Sequence, residues 1–153
     1  MRDRTMRATR EWLRPSTIAW VLLGGCLGGG SREALTAVIG PGAPIPVAIL
    51  IANLLGAFLL GLLLDSVAQR KSVGAARARL LLGTGFLGGF TTYSSLALAV
   101  AALVRDDAYW IAAAYGLGTV LLGGVATLLG MLLATAISSD GPPKRSAESR
   151  GGR

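Results

Sequence analysis

Apolar residues dominate four stretches of the chain, and nearly all charged residues lie between or outside them. The stretches run roughly over 18–39, 46–68, 80–104 and 108–137. Each reaches the ~20 residues that a helix needs to cross the hydrocarbon core of a bilayer. The pattern predicts an all-α integral membrane protein. Its parts are a basic arm at 1–17, a membrane domain of four transmembrane helices at 18–137 and a disordered tail at 138–153.

The third stretch contains a glycine and hydroxyl motif that a lipid-facing helix does not need. Gly88 and Gly89 are followed by a run of residues that we expect to break or distort the helix at membrane depth. Irregular backbone is tolerated there only where protein or a water-filled cavity covers it. Four hydroxyl side chains accompany the break, at Thr91, Thr92, Ser94 and Ser95. Either they bond back to the preceding turn and bend the helix, or they line a path for an ion or substrate.

Polar side chains in the other stretches allow two interpretations each. Asn53 is the only amide deep in an apolar stretch, and it either bonds a neighbouring helix or faces a pore. Arg32 either reaches the membrane interface or orders a pore mouth and attracts anions. Tyr115 and Thr119 share a face of the fourth stretch, where they pack or line a path.

Composition and charge narrow the function. The chain has no histidine and one cysteine, Cys26, which excludes the usual thiolate and imidazole metal cages and an internal disulfide. No nucleophile–base pair or pocket carboxylate pair is available, so we expect no enzyme. The net charge of +7 reflects basic residues flanking the apolar stretches rather than nucleic-acid binding. Arginines before Cys26 also resemble a lipoprotein signal, but three further apolar stretches follow it.

The distribution of basic residues predicts the topology. Thirteen of the 15 Lys and Arg residues fall in the arm, the middle loop and the tail, and only Arg32 and Arg105 fall on the other side. This bias places both termini of a multi-pass protein in the cytoplasm, here at a bacterial plasma membrane. No acidic residue lies at the centre of a stretch, although a proton-coupled exporter needs one there.

Three ordered motifs resemble the CrcB/Fluc fluoride channel family. The first is the glycine-rich, arginine-ended segment at 24–32, the second is the Asn53 segment at 52–61, and the third is the segment at 85–95. The similarity covers essentially 18–137. It implies a fluoride-specific channel subunit with a broken third helix, which gives passive fluoride efflux and fluoride resistance as part of an antiparallel dimer.

The resemblance also implies roles for individual residues. Asn53 becomes the pore amide, with Ser94 and Ser95 on the polar fluoride track and Tyr93 presenting the positive edge of its ring to fluoride. The backbone carbonyls of Gly88 and Thr91 help to hold a structural Na⁺ at the dimer centre.

Two departures from the family pattern lead to one hypothesis. Leu96 occupies a position that usually carries phenylalanine, and the Lys and Arg bias is too large for a subunit that inserts in both orientations. We therefore expect a one-way subunit that pairs with a homologous partner of opposite orientation, with an ordinary homodimer as the rival. The competing functions are a non-conducting membrane assembly subunit and a small multidrug exporter.

Overall fold

The computed structural model describes residues 14–40, 45–68 and 72–139, and these residues contain helices and short connections but no strand. In chain order the helices are α1 (Pro15–Ile39), α2 (Val47–Ala68), α3 (Val73–Ala78), a π-helix (Arg79–Leu87), α4 (Gly88–Phe90), α5 (Tyr93–Arg105) and α6 (Tyr109–Ser139). Most of the basic arm, Arg70 and Lys71 of the middle loop, and the tail from position 140 lie outside the described residues.

Local sequence signals fix several helix ends. Pro15 opens α1, where its missing N–H costs nothing and its fixed φ suits the first turn. Gly40 ends the same helix with a φ of 72°, a value that glycine adopts without strain. Ser72 caps α3 by accepting a hydrogen bond from the amide of Ala75 at 3.2 Å.

Among the described residues, three stretches are long and apolar enough to cross a membrane: Val47–Leu64, Val73–Arg105 and Tyr109–Ile137. The first helix has 25 residues, about 37 Å at 1.5 Å per residue. Its glycines and its adjacent Arg32 and Glu33 lower its hydropathy below that of the other three. The all-α architecture is therefore confirmed, and a fourth spanning helix stays a prediction.

Large apolar side chains cover the outside of the long helices. Leu27 on α1, Leu98 on α5 and Trp110 on α6 expose 63%, 72% and 89% of their surfaces. A soluble monomer rarely exposes contiguous apolar surface on this scale, whereas a bilayer accepts it. The few buried side chains are mostly small ones such as Ala52, Ala112 and Ala134.

Glycines let the helices approach to backbone contact. Helix α1 packs along the π-helix and α4, and α2 packs along α6. A Cβ added to Gly28 would lie 2.0 Å from the carbonyl oxygen of Phe86, and one added to Gly130 would lie 2.1 Å from that of Phe58. Because lipid supplies no hydrophobic force between helices, association of this kind rests on close packing of small residues.

We predict that Gly28→Ala destabilises the fold while Gly29→Ala does not. The new methyl at position 28 collides with the Phe86 carbonyl, and overpacking of this kind costs about 1–3 kcal/mol. A Cβ at Gly29 meets nothing within 4 Å, so the same substitution one residue later should change stability by less than about 0.5 kcal/mol. Thermal unfolding of both variants in detergent measures the difference. Equal melting temperatures for the two would show that the close contact is not needed.

Candidate functional site

The helical backbone is interrupted at Thr91 and Thr92. Thr91 has φ −79° and ψ 152°, and Thr92 has φ −149° and ψ 120°, which are extended conformations. Gly88 and Gly89 themselves remain helical in α4, so the interruption lies after the glycine pair rather than at it. The preceding π-helix widens the turn through 79–87, a feature found frequently at functional sites.

The side chain of Asn53 closes the gap that this interruption leaves. Its Nδ2 donates to the carbonyl oxygen of Thr92 at 3.1 Å, and its Oδ1 accepts from the amide of Thr92 at 2.8 Å. The carboxamide thus pairs with both polar groups of one residue, as a second peptide strand would. Since a carboxamide has two N–H donors, one N–H of Asn53 remains for another acceptor.

Two backbone carbonyls lose their helical donors at the same place. In a continuous helix the amide of Thr92 would bond the carbonyl of Gly88, but it bonds Asn53 instead. The amide of Ser95, which would bond the carbonyl of Thr91, is donated at 3.2 Å to the hydroxyl of Thr92. Both carbonyl oxygens are therefore available to a donor or a cation.

Three hydroxyls form a connected cluster at the start of α5. The Oγ1 of Thr92 donates to the Oγ of Ser95 at 3.1 Å and lies 3.1 Å from the Oγ of Ser94. Nη1 of Arg32 donates to the Oγ of Ser95 at 3.3 Å. Helices α1, α2 and the start of α5 thus meet in one hydrogen-bonded network.

A cavity of about 430 Å³ lies beside the interruption. It brings together Asn53, Gly88, Thr91, Tyr93 and Thr119, five residues that the sequence singled out. Its walls otherwise consist mainly of apolar side chains and glycines. The combination of an apolar wall with a few convergent polar groups is typical of a site that binds a small ligand.

The remaining candidates, Arg32, Ser94, Ser95 and Tyr115, lie around this cavity rather than in its wall. The hydroxyl of Tyr115 donates to the carbonyl oxygen of Pro46 at 3.1 Å, and the hydroxyl of Thr119, which is in the wall, donates to the carbonyl of Tyr115 at 2.6 Å. Ser94 is exposed and Ser95 is half-buried.

Tyr93 and Leu96 hold the two positions that the CrcB/Fluc resemblance assigns to aromatic contacts with fluoride, here called the fluoride box, and they differ sharply in exposure. Tyr93 is 80% exposed, whereas Leu96 is only 7% exposed and packs with Ala99 and Tyr115. The Tyr93 ring therefore projects from this chain, and Leu96 belongs to its small core.

Thr92 is the residue whose importance the sequence analysis missed. It was considered only as one of four hydroxyls, yet it is the backbone partner of Asn53, the cap of α5 and the centre of the hydroxyl cluster. A threonine directly before an apolar helical run is a capping signal, and this signal could have identified it.

Comparison with known proteins gives the family. Residues 19–131 match the model of the family described as "CrcB-like protein, Camphor Resistance (CrcB)". This is most of the chain. The chain belongs to the CrcB-like family.

Curated relatives agree with this CrcB-like assignment. A protein of Phenylobacterium zucineum named "Fluoride-specific ion channel FluC" is 46% identical over 99 residues, covering 65% of this chain and 76% of the relative. "Fluoride-specific ion channel FluC 2" of Leifsonia xyli subsp. xyli is 40% identical over 119 residues, which cover 76% of this chain and 82% of the relative. The "Fluoride-specific ion channel FluC" of Novosphingobium aromaticivorans is 36% identical over 124 residues, which cover 78% of this chain and 97% of the relative.

Family membership settles two expectations. The resemblance to CrcB/Fluc proteins is confirmed by the family match and by these relatives. The relatives are named as ion channels, so the expectation that the chain is not an enzyme is also confirmed. Together with the three apolar stretches, the assignment makes this CrcB-like chain a multi-pass membrane protein.

We predict that Asn53→Ala opens the backbone at the interruption. The substitution leaves the N–H and the carbonyl of Thr92 without their partner, and each such unpaired group costs about 1–3 kcal/mol. Amide hydrogen exchange across 91–95 should accelerate accordingly. Ser66→Ala is the control, because the hydroxyl of Ser66 bonds only the Leu62 carbonyl of its own helix. Unchanged protection at 91–95 in Asn53→Ala would contradict the assigned role of this side chain.

Proposed function

We propose that the chain is a subunit of a fluoride-specific channel that releases fluoride passively and gives fluoride resistance. One observation carries the proposal: a carboxamide holds open an interruption in an apolar helix and keeps a spare N–H beside a partly polar cavity. The names of the curated relatives support fluoride as the ion.

The donors suit a small, strongly hydrated anion. Selectivity in a narrow pore depends on groups that replace the hydration shell of the ion. Asn53 offers an N–H and Ser95 offers a hydroxyl hydrogen, while the edge of the Tyr93 ring is the positive part of its quadrupole. Ser94 and Thr119 line the path, but their hydroxyls are already engaged with Thr92 and with the Tyr115 carbonyl. The centres of the apolar stretches carry no acidic residue, so no fixed negative charge opposes the anion there.

Arg32 and Tyr115 serve the same path differently. Arg32 orders the mouth of the pore through its hydrogen bond to Ser95. Tyr115 forms a wall, because its hydroxyl is already donated to the Pro46 carbonyl, and its remaining capacity is that of an acceptor.

The channel is an antiparallel dimer. A second subunit would cover the exposed Tyr93 ring and the exposed Gly88, and it would close a cavity that one chain leaves open. The carbonyl oxygens of Gly88 and Thr91 are the ligands that hard cations prefer, and their helical donors are diverted. They would hold a structural Na⁺ at the dimer centre, which supplies positive charge between two helix interruptions.

The partner is a homologous subunit of opposite orientation rather than a second copy. The Lys and Arg bias favours a single orientation with both termini in the cytoplasm. Leu96 is in the core and has no ring edge to offer, so a phenylalanine from the partner would complete the fluoride box.

Fluoride efflux from liposomes tests the function and the assembly together. We expect liposomes with this chain and a homologous subunit to release fluoride but not chloride, without any dependence on a pH gradient. The chain alone should conduct at least tenfold less and insert in one orientation. Full efflux by the chain alone, with both orientations present, would refute the heterodimer. An absence of fluoride efflux in every combination would refute the channel.

A control variant separates conduction from assembly. Asn53→Leu removes the spare N–H together with both hydrogen bonds to Thr92. It should lower fluoride efflux roughly tenfold, while the dimer still forms in detergent. If efflux stays unchanged, the polar groups only pack and the chain is an assembly subunit. If transport instead follows a pH gradient and accepts organic cations, the chain is a small multidrug exporter.

Exchange of sodium tests the cation. Purification and reconstitution in N-methylglucamine salts, with Na⁺ removed, should weaken dimer formation and abolish fluoride efflux. Without the cation, the carbonyl oxygens of Gly88 and Thr91 would be buried at the interface without a partner. Readdition of Na⁺ should restore both, while K⁺ should not. Equal dimer content and efflux with and without Na⁺ would eliminate the proposed site.

A further inference from the structure

Arg32 is a charged side chain in an apolar environment with an unusual set of contacts. Its side chain is 23% exposed, and Nη2 lies 3.3 Å from Oε1 of Glu33, which is itself 71% exposed. Nη1 donates to Ser95, and Nε is enclosed without an acceptor among the described residues. An ionisable group near membrane depth is costly and marks a functional site by default.

Packing of α1 brings this arginine to α5. Arg32 follows Gly28 by four residues, so both lie on the same face of the helix. Gly28 is the residue whose lack of a Cβ lets α1 touch the backbone at Phe86. Close packing at the glycine therefore sets the distance at which the guanidinium meets the first turn of α5.

The hydrogen bonds around Ser95 have a direction. A guanidinium can only donate, so Ser95 accepts from Arg32 at 3.3 Å. Its Oγ also accepts from the hydroxyl of Thr92 at 3.1 Å. A serine oxygen has two lone pairs and one hydrogen. Both lone pairs are thus occupied, and none of the hydrogen bonds in the described part of the chain uses the hydrogen.

The same reasoning fixes the hydroxyl of Thr92. It accepts from the amide of Ser95 and gives its hydrogen to the Oγ of Ser95. Ser94, 3.1 Å away, must then be the donor in its contact with Thr92. The cluster has one uncommitted hydrogen, and it belongs to Ser95.

We propose that Arg32 is a positioning residue that acts through Ser95: by filling a lone pair of the Ser95 oxygen, it makes this hydroxyl a donor and directs its hydrogen to a passing anion. The proposal rests on the proposed function and adds the mechanism by which the arginine contributes. A bare hydroxyl rotates freely and can present a lone pair, which repels fluoride. A hydroxyl whose lone pairs are both occupied cannot present one to the anion, so it presents its hydrogen.

Simple attraction by charge is the alternative, and two features count against it. Glu33 lies beside the guanidinium and offsets much of its charge at a distance. The field that reaches an anion in the solvent outside the mouth is also screened within about 10 Å at 0.1 M salt. A hydrogen bond to Ser95 depends on neither condition, because it acts at contact distance.

A double-mutant cycle on fluoride efflux tests the proposal in whichever assembly conducts with the wild-type chain. Arg32→Gln, whose amide nitrogen ends two bonds short of the guanidinium Nη atoms and so does not reach Ser95, should lower the rate roughly tenfold, the effect of losing one charge-assisted hydrogen bond. Ser95→Ala should lower it by about the same factor. Arg32→Gln combined with Ser95→Ala should be no slower than Ser95→Ala alone, since the arginine has nothing left to position. If the two effects instead multiply, so that the double variant is roughly hundredfold slower than the wild type, the proposal is overturned.

Two controls exclude charge and folding as explanations. Arg105→Gln removes the same charge at the exposed end of α5 and should leave the rate unchanged. The ratio of the wild-type rate to the Arg32→Gln rate should be the same in low and high salt. A ratio that falls to one in high salt would overturn the proposal. Arg32→Lys, which keeps a donor, should recover part of the rate lost in Arg32→Gln when Ser95 is present. It should recover none of that rate when Ser95 is replaced by alanine.

Arg32→Lys also replaces Arg32→Gln in the cycle if the latter does not yield a folded protein, as judged by thermal unfolding. In that case, the proposal would be overturned if Arg32→Lys lowered the rate by the same factor in the chain that has Ser95 and in Ser95→Ala. A wild-type chain that carries no fluoride in any assembly would instead contradict the proposed function, and the two failures are therefore distinguishable.

Discussion

The hydrogen bonds between Asn53 and Thr92 are the interaction on which the site depends. A helix can be interrupted in a membrane only if other groups satisfy the freed backbone, because lipid offers no donors or acceptors. Asn53 does so for the N–H and the carbonyl of Thr92 in a single pair of contacts. Asn53 diverts the Thr92 amide from the carbonyl of Gly88, and the Thr92 hydroxyl diverts the Ser95 amide from the carbonyl of Thr91. These two residues together create the gap and its polar surroundings.

Close helix packing makes this arrangement possible. Helix α1 touches the π-helix through glycines, and α2 touches α6 through Gly61, where an added Cβ would lie 2.1 Å from the carbonyl oxygen of Thr127. Bulkier residues would hold these helices apart and move Asn53 and Arg32 away from the start of α5. The glycines therefore act on the site at a distance, by setting the separation of the helices that carry its side chains.

The described chain leaves its site open on one side. Tyr93 projects from the surface, and Gly88 has open space where a Cβ would be. Free carbonyls exposed in this way are costly towards lipid, which offers them no donor. The open side is therefore the face on which the proposed second subunit would sit.

The sequence by itself determined which parts of the chain suit a membrane, which residues carry polar groups there, and to which family the pattern belongs. These properties follow from the local composition: the length of apolar runs, the spacing of glycines and the presence of hydroxyls. The sequence also indicated an interruption in the run that follows Gly88 and Gly89. The structure has it at Thr91 and Thr92, because capping by the Thr92 hydroxyl starts the next helix there.

Only the tertiary structure decided which of these groups are already bonded. Asn53 and Thr92 are 39 positions apart, and Tyr115 and Pro46 are 69 positions apart. Whether such groups meet depends on helix separations of a few ångströms, which no local pattern contains. For that reason the sequence indicated only that Asn53, Tyr115 and Arg32 are polar candidates. The packing decided that Asn53 bonds the backbone of the interruption, that Tyr115 bonds Pro46 and that Arg32 bonds Ser95.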